Sequence, residues 1–301
     1  MSKIFHPPNT LSNEAHVKSL EEYNNIYKSS IQDPDSFWAE IAERLDWYMP
    51  WKNVRKFDFF NGKIEWFSGG KLNVSYNCID RHIENGYGDQ VAIIWEGNDP
   101  DQSRRFTYNE LLKEVSQFAN AMKSLGVKKG DRVCIYMQMV PELAFALLAC
   151  ARIGAVHSIV FGAFSSDSLR DRINDSSCKI LITQDTGVRG NKKNIPMKLN
   201  ADAAVLETPS IDYVIVVRRT GESVSMDSER DIWWHEAISA VEAKCEPEIM
   251  DSEDPLFILY TSGSTGKPKG VLHTTGGYLT YASFTHEMVF DYRPGDIYWC
   301  T

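Results

Sequence analysis

The sequence predicts an α/β fold with layered, largely parallel sheets, joined to a loop-rich N-terminal segment that wraps the core. Short apolar runs alternate with helical patterns between residues 105 and 217, as expected where helices connect parallel strands. The 301 residues are 43% hydrophobic and 24% charged, which is ordinary for a globular protein and excludes a disordered chain. Residues 1–104 are polar and aromatic and lack the alternation, so they form the wrapping segment.

The N-terminal segment contains few regular elements. We predict a helix over residues 20–28, a second helix beginning near Asp35, and a short strand over residues 91–95. Five tryptophans crowd this part of the chain, and aromatic side chains dominate the burial of apolar area. We interpret them as packing anchors; they are Trp38, Trp47, Trp51, Trp66 and Trp95.

Helical patterns and their end signals recur from residue 105 onward. Thr107 and Glu110 have the spacing of a capping box, and Gly126 is a suitable stop for that helix. Pro141 suits the first position of a helix that Gly154 ends. A third helix is predicted over residues 165–173. The first helix has one apolar face, made of Leu111, Leu112, Val115, Phe118, Ala119 and Met122.

Short apolar runs supply the predicted strands, which cover residues 133–137, 156–161, 179–183, 213–217 and 256–260. Ligands in parallel sheets bind beyond the carboxyl ends of strands, so the loops after Phe161 and Thr183 are candidates for binding. An acidic stretch over residues 246–254 resembles a linker. We therefore predict a wrapping segment (1–104), a first α/β subdomain (105–250), and the start of a second (251–301).

Charge and composition exclude several classes of protein. There are 32 basic and 41 acidic residues, giving a net charge of −9, which argues against nonspecific binding of nucleic acid or anionic membrane. No apolar stretch reaches the length of a membrane helix, and residues 1–10 have no signal-peptide core. The six cysteines are scattered without a C-x-x-C pair, so we expect no metal site and a reducing, cytoplasmic location.

The most informative stretch is a glycine- and hydroxyl-rich loop that directly follows the predicted strand 256–260. Residues 261–270 read TSGSTGKPKG. Glycine lets successive backbone amides converge on one anion, while the hydroxyl and lysine side chains add further donors. The run is not a Walker A loop, because Thr261 stands where that motif needs glycine and Pro268 follows Lys267. It predicts a phosphate-binding loop.

This loop, continued by VLHTTGGYL over residues 271–279, resembles the phosphate-binding motif of the adenylate-forming, AMP-binding enzymes. Five further runs resemble, more narrowly, the acetyl-coenzyme A synthetases (acetate–CoA ligases) within that superfamily. They are IQDPDSFW (31–38), NCIDRH (77–82), AIIWEG (92–97), ACARIGAVH (149–157) and PGDIYWC (294–300). The likeness covers nearly the whole chain from about residue 20. It implies the sheets of the large N-terminal domain of these enzymes, truncated.

The resemblance implies a two-step reaction with ATP, coenzyme A and Mg²⁺. Acetate is first converted to acetyl-AMP with release of pyrophosphate, and the coenzyme A thiol then displaces AMP. Preorganised donors would stabilise the charge on the departing pyrophosphate. The ATP phosphates are expected at Thr261, Ser262, Gly263, Ser264, Thr265, Gly266 and Lys267.

A coenzyme A site is also implied by the resemblance. The family's basic cluster for the 3′-phosphate corresponds to VRGNKK over residues 188–193, where Arg189 can form a forked contact and Lys192 a point contact. Asn191 and Lys193 leave open which lysine takes that part. Ala163 stands where the family more usually has a second glycine. The expected coenzyme A residues are Phe161, Gly162, Ala163, Arg189, Gly190, Asn191 and Lys192.

The remaining expectations concern what lies outside these two sites. His157 lies in an apolar strand and is interpreted as a core histidine, and His273 as structural support for the loop. The family's acetate pocket, metal-associated acids and catalytic lysine are expected beyond Thr301, so no catalytic or metal residue is assigned here. We expect an N-terminal part of an acetate–CoA ligase that is inactive alone and lacks its C-terminal half. The alternatives are a propionate-type acyl ligase or a non-catalytic nucleotide- or coenzyme A-binding protein.

Overall fold

The structure is a computed structural model that describes residues 7–261 and 268–300. Its helices are α1 Asn9–Glu14, α2 Leu20–Gln32, α3 Pro34–Ala42, α4 Tyr108–Ser124, α5 Pro141–Ile153, α6 Ser166–Ser176, α7 Met197–Val205, α8 Trp234–Ser239 and α9 Thr275–Met288, with π-helical turns at Tyr76–Asp80 and Ile83–Tyr87. Its strands are β1 Asn53–Asp58, β2 Lys63–Ser68, β3 Lys71–Leu72, β4 Val91–Glu96, β5 Ser103–Thr107, β6 Arg132–Met137, β7 Val156–Phe161, β8 Ile180–Gln184, β9 Gly187–Arg189, β10 Lys192–Ile195, β11 Tyr213–Val217, β12 Asp231–Trp233, β13 Met250–Asp251, β14 Pro255–Thr261 and β15 Lys269–Thr274.

The chain divides into two compact units. The first comprises the residues up to Lys71, Asp251–Glu253 and the residues from Gly276 onward; the second comprises Leu72–Met250 and Asp254–Thr275. The predicted domain boundaries at residues 104 and 250 stay predictions. In the described ranges, no helix combines the length and the apolar character that crossing a membrane requires.

The first unit is built on helices with clear start signals and on an aromatic cluster. The Ser19 hydroxyl accepts the Glu22 amide at 3.1 Å where α2 begins, and Asp33 caps α3 ahead of Pro34. Helix α2 runs to Gln32, four residues beyond its predicted end. Four of the five predicted tryptophan anchors pack together here: Trp38 lies against Trp66, and both Trp47 and Trp51 lie against Phe67.

The second unit is organised by a seven-stranded sheet, ordered β12-β11-β8-β6-β7-β14-β15. Every neighbouring pair is parallel except β14 and β15. The predicted α/β class with a largely parallel sheet is therefore confirmed. Each predicted strand of this sheet is present within one residue of its expected ends, because a continuous apolar run is what a strand buried on both faces requires.

Helices cover both faces of this sheet. Along β6, Val133, Ile135 and Met137 belong to the core under α4 and α5, while Cys134 and Tyr136 belong to the core under α6 and α7. This alternation follows from the two-residue period of a strand. The predicted capping box at the start of α4 is confirmed, since the Thr107 hydroxyl accepts the Glu110 amide and the Glu110 carboxylate accepts the Thr107 amide.

Several elements of the second unit carried no usable signal in the sequence. The hairpin β9–β10 lies largely on the basic run 188–193, no element is predicted over residues 197–205 where α7 lies, and β12 is a three-residue strand that begins with Asp231. Helix α7 buries Met197, Ala201 and Ala204, but the buried Lys198 lies among them. A charged residue on the inner face hides the apolar period that would have predicted this helix.

Candidate functional site

The carboxyl ends of β6, β7, β8, β11 and β14 lie at one edge of the sheet, because these strands are parallel. The candidate binding residues that the structure describes lie at the ends of these strands or in the segments that follow them. The segment after β7 holds the first coenzyme A candidates, the hairpin β9–β10 follows β8, and Thr261 ends β14. Parallel sheets bind ligands beyond this edge, so the described segments lie where a ligand could bind.

The segment after β7 combines exposed side chains with a tightly packed glycine. Phe161 is 63% exposed and Ala163 is also exposed, while Gly162 is buried. A Cβ at Gly162 would lie 3.1 Å from the Met137 carbonyl oxygen, so a larger residue here would require its neighbours to shift. Ala163, which stands where the family more usually has a second glycine, is exposed. Burial raises the pKa of Tyr136, whose hydroxyl donates to the Phe164 carbonyl at 2.8 Å.

The basic cluster is held on a β-hairpin. Arg189 ends β9, Lys192 and Lys193 begin β10, and Gly190 has the left-handed φ of +54° in the turn between them. All three cations are exposed. Within the described ranges none of them lies within 4 Å of a carboxylate, whereas Arg170 on helix α6 contacts three. The hairpin therefore presents positive charge that the described part of the protein leaves uncompensated.

Gln138, which the sequence analysis missed, joins the two segments that carry the candidate coenzyme A residues. Its side-chain oxygen accepts the Val188 amide at 2.9 Å, and its amide donates to the Val188 carbonyl at 3.2 Å. Its Cγ lies 3.3 Å from the position of a Cβ on Gly162. One side chain thus spans from the β7 end to the base of the basic hairpin. The sequence feature that could have indicated Gln138 is that this polar residue directly follows the apolar run predicted as a strand.

Two further polar residues fix the loops at this edge. Asn98 forms a reciprocal pair of hydrogen bonds with the backbone of Gly190, at 3.1 Å each. Asp185 is fully buried, and its carboxylate accepts the backbone amides of Thr186, Arg219, Thr220 and Gly221 at 2.7–3.2 Å. Because the amides of Arg219, Thr220 and Gly221 donate to this buried carboxylate, Asp185 orders the loop after β11.

The predicted phosphate loop is only partly described. Thr261 is exposed at the end of β14 and pairs with Lys269 of β15. The other six predicted phosphate contacts, residues 262–267, lie outside the described residues. Pro268 is followed directly by the strand β15, so the chain does not enter a helix after the lysine, in agreement with the reading that this is not a Walker A loop.

His157 and His273 lie on either side of Phe257 in a stack of three rings. Ring centroids are 5.3 Å apart for His157 and Phe257 and 4.4 Å apart for Phe257 and His273. Burial lowers the pKa of His157 to about 3, so its ring is neutral. His157 is a core histidine, as predicted, although its Nδ1 has no hydrogen-bond partner in the part of the chain that the structure describes.

Comparisons with known proteins show the family to which this sequence belongs. The profile of the AMP-binding enzyme family matches residues 80–301, and that of the acetyl-coenzyme A synthetase N-terminus matches residues 23–78. The acetyl-coenzyme A synthetases of Saccharophagus degradans and Magnetococcus marinus are each 60% identical to the chain, over 99% and 98% of its residues. These alignments cover 46% and 45% of the two relatives, so the chain spans about half of their length. On its fold, its edge loops and these matches, the chain belongs to the AMP-binding enzyme family.

Proposed function

We propose that the chain is the coenzyme A- and ATP-phosphate-binding part of an acetate–CoA ligase. In this reaction an acetate oxygen attacks the α-phosphorus of ATP and pyrophosphate leaves. The coenzyme A thiol then attacks the acetyl carbon of acetyl-AMP, and AMP leaves with the loss of the thiol proton. Family membership and relatives named acetyl-coenzyme A synthetase support this proposal. A cytoplasmic location stays a prediction.

The observation that carries the proposal is the uncompensated positive charge of the hairpin β9–β10. A 3′-phosphate is a compact anion, and a guanidinium binds such an anion through two parallel N–H donors. Arg189 would supply that fork and Lys192 a point charge, while the exposed Phe161 and the backbone of Gly162 and Ala163 would form the wall beside the adenine. Gly190 and Asn191 would shape the turn that separates the two cations.

The ATP phosphates would bind at Thr261 and residues 262–267, which emerge from the strand next to β7. Hydroxyl and amide donors there would stabilise the charge that develops on pyrophosphate. In the ranges that the structure describes, no group of three or more His, Cys, Asp or Glu side chains could hold a metal ion. We assign no step to Mg²⁺.

We expect Arg189→Ala to weaken coenzyme A binding by about tenfold, because one charge-assisted hydrogen-bond pair to the 3′-phosphate is lost. Binding of 3′-dephospho-coenzyme A should stay within about twofold of the wild type, since that molecule has no phosphate to lose. Isothermal titration calorimetry of the purified chain with both compounds measures the difference.

Two further variants complete that experiment. Lys192→Ala should weaken coenzyme A binding selectively, and Lys193→Ala should not, if Lys192 is the phosphate lysine. An equal loss for coenzyme A and its dephospho form in Arg189→Ala would contradict the proposed 3′-phosphate site. Absence of coenzyme A binding to the wild-type chain would contradict the coenzyme A-binding function itself.

We further expect the 301-residue chain to form no acetyl-coenzyme A by itself, because it spans about half the length of its relatives. Acetate-dependent exchange of labelled pyrophosphate into ATP tests the first step directly. The full-length acetyl-coenzyme A synthetase of Saccharophagus degradans, assayed in parallel, is the positive control. Exchange above background with the chain alone would show that its residues suffice for adenylation and would overturn this expectation.

A further inference from the structure

Two side-chain carboxamides hold the backbone on either side of Arg189. Val188, which precedes Arg189, forms both of its backbone hydrogen bonds with Gln138: its N–H donates to Oε1 at 2.9 Å, and its carbonyl accepts from Nε2 at 3.2 Å. Gly190, which follows Arg189, forms the same pair of hydrogen bonds with Asn98, at 3.1 Å each. Each carboxamide thus offers one donor and one acceptor to one residue, as a neighbouring strand would. All of these residues lie within the second unit.

Gln138 is itself fixed by the strand that leads into the hairpin. Its backbone amide donates to the side-chain oxygen of Gln184, the last residue of β8, at 2.9 Å. A Cβ on Gly187 would lie 2.6 Å from the Gln138 Oε1, so a larger residue there would push the carboxamide away from the β9 backbone.

Asn98 is tied to the same place by the hairpin β4–β5, since it lies in the loop between these two strands. Trp95, near the end of β4, donates its indole N–H to the Met139 carbonyl at 2.8 Å. Met139 directly follows Gln138 in the chain, so the two carboxamides reach β9 from one connected frame.

The held turn separates the two cations of the candidate 3′-phosphate site. Arg189 pairs with Lys192 across the hairpin, and only Gly190 and Asn191 lie between them. Two cations can contact one phosphate group together only in some conformations of such a turn. Groups that are held in place before the ligand arrives lose less conformational entropy when it binds. Fixing Gly190 therefore favours binding of a ligand that both cations contact.

We propose that Asn98 is a positioning residue for recognition of the coenzyme A 3′-phosphate. Together with Gln138 it holds the hairpin in the conformation in which Arg189 and Lys192 meet the same phosphate group. The inference rests on the proposed function, because it assumes that coenzyme A binds at this hairpin. Asn98 acts through the backbone and touches no ligand, so its removal should affect only ligands that carry the 3′-phosphate.

The experiment measures the binding of coenzyme A and of 3′-dephospho-coenzyme A to Asn98→Ala, by calorimetry on the intact chain. Asn98 is the sharper choice because, in the part of the chain that the structure describes, it hydrogen-bonds only to Gly190, whereas Gln138 also lies against Gly162. Coenzyme A should bind about threefold more weakly, the effect of a modest loss of hydrogen bonding at an exposed turn. Binding of the dephospho form should change by less than about 1.5-fold.

Two comparisons show whether Asn98 acts through Arg189. In the Arg189→Ala background, Asn98→Ala should weaken coenzyme A binding by less than about 1.5-fold, because residues that act together are not additive. Asn120→Ala is the matched control. The Asn120 carboxamide also holds a loop of the second unit, through the carbonyls of Glu242 and Lys244 at 2.9 and 2.8 Å, and its loss should leave both affinities unchanged.

The outcomes separate the inference from the proposed function. If the wild type binds coenzyme A and Asn98→Ala binds it equally well, or loses both compounds equally, the positioning role is wrong while the coenzyme A site stands. If the wild type fails to bind coenzyme A, the proposed function fails and the inference fails with it. Hydrogen–deuterium exchange over residues 187–193 tests the cause without a ligand: exchange should be faster in Asn98→Ala and unchanged in Asn120→Ala, and unchanged exchange in Asn98→Ala would contradict the inference.

Discussion

Asp80→Ala is expected to lower the free energy of unfolding by about 3–5 kcal/mol, the usual cost of removing one partner from a buried ion pair. The Asp80 carboxylate receives two hydrogen bonds from the Arg152 guanidinium, at 2.8 and 2.9 Å. Arg152 is only 3% exposed, so the variant leaves a buried cation without its counter-charge. Arg152 also donates to the Cys245 carbonyl and to the Ser75 hydroxyl, and neither can neutralise it.

Urea unfolding at pH 7, followed by circular dichroism, measures the loss. Glu142, on the same helix α5 as Arg152, pairs with Arg104, whose side chain is 48% exposed, so Glu142→Ala is the matched control and should cost less than about 1 kcal/mol. Equal effects of the two substitutions would contradict the assignment of Asp80 to a buried pair. In the double variant Asp80→Leu with Arg152→Met, the loss should be smaller than in Asp80→Ala, because no charge stays buried.

Asp231→Asn is expected to lower the free energy of unfolding by about 2–3 kcal/mol, through loss of hydrogen bonds between charged groups. The Asp231 side chain is fully buried and contacts Lys198 at 2.6 Å and Arg230 at 2.7 Å. Lys198 is 1% exposed and keeps Asp202 as a partner in the variant, which limits the loss. Asp202→Asn, at the more exposed side of the same cluster, is the control and should cost less.

Acid should remove this difference between wild type and Asp231→Asn. Burial alone would raise the pKa of Asp231, but hydrogen bonds from Arg230 and Lys198 outweigh it and lower that pKa below 3.8. A carboxylate with a lowered folded-state pKa stabilises the fold above its unfolded pKa, and loses this effect as the pH falls through the folded value. The gap in unfolding free energy should be constant between about pH 5 and 7 and shrink below about pH 4. A difference in unfolding free energy that increases in acid would contradict this prediction.

Much of the fold was predictable because its signals are local. The strands of the central sheet are continuous apolar runs, and helices α4 and α5 carry their own start and stop residues in Thr107, Glu110, Pro141 and Gly154. Gly154 has the left-handed φ of +72° that this helix end needs. Helix α7 was not predictable, because Lys198 interrupts its apolar face. A lysine on a buried face is stable only with carboxylates such as Asp231, which is 33 residues away in the sequence.

In the candidate site, too, residue types were predictable from the sequence, whereas their contacts with distant residues were not. The basic run at residues 188–193 was identified through its resemblance to the family's basic cluster, whereas its hairpin contacts Gln138 and Asn98, about 50 and 90 residues earlier. Two runs that carry the resemblance, NCIDRH and ACARIGAVH, meet in the ion pair between Asp80 and Arg152. Their residue types were visible in the sequence, but this structural use of them was not.

The sequence by itself determined the α/β class, most of the strands and helices of the central sheet, and the segments that carry the candidate ligand contacts. These features follow from the period of apolar residues and from backbone preferences of glycine, proline and capping residues, which act over a few neighbours. Only the tertiary structure decided which charges are buried in pairs, which cations of the basic hairpin are left uncompensated, and that Asn98 and Gln138 hold the backbone on either side of Arg189. Such contacts join residues distant in the chain, and their energies depend on burial, which no local pattern contains.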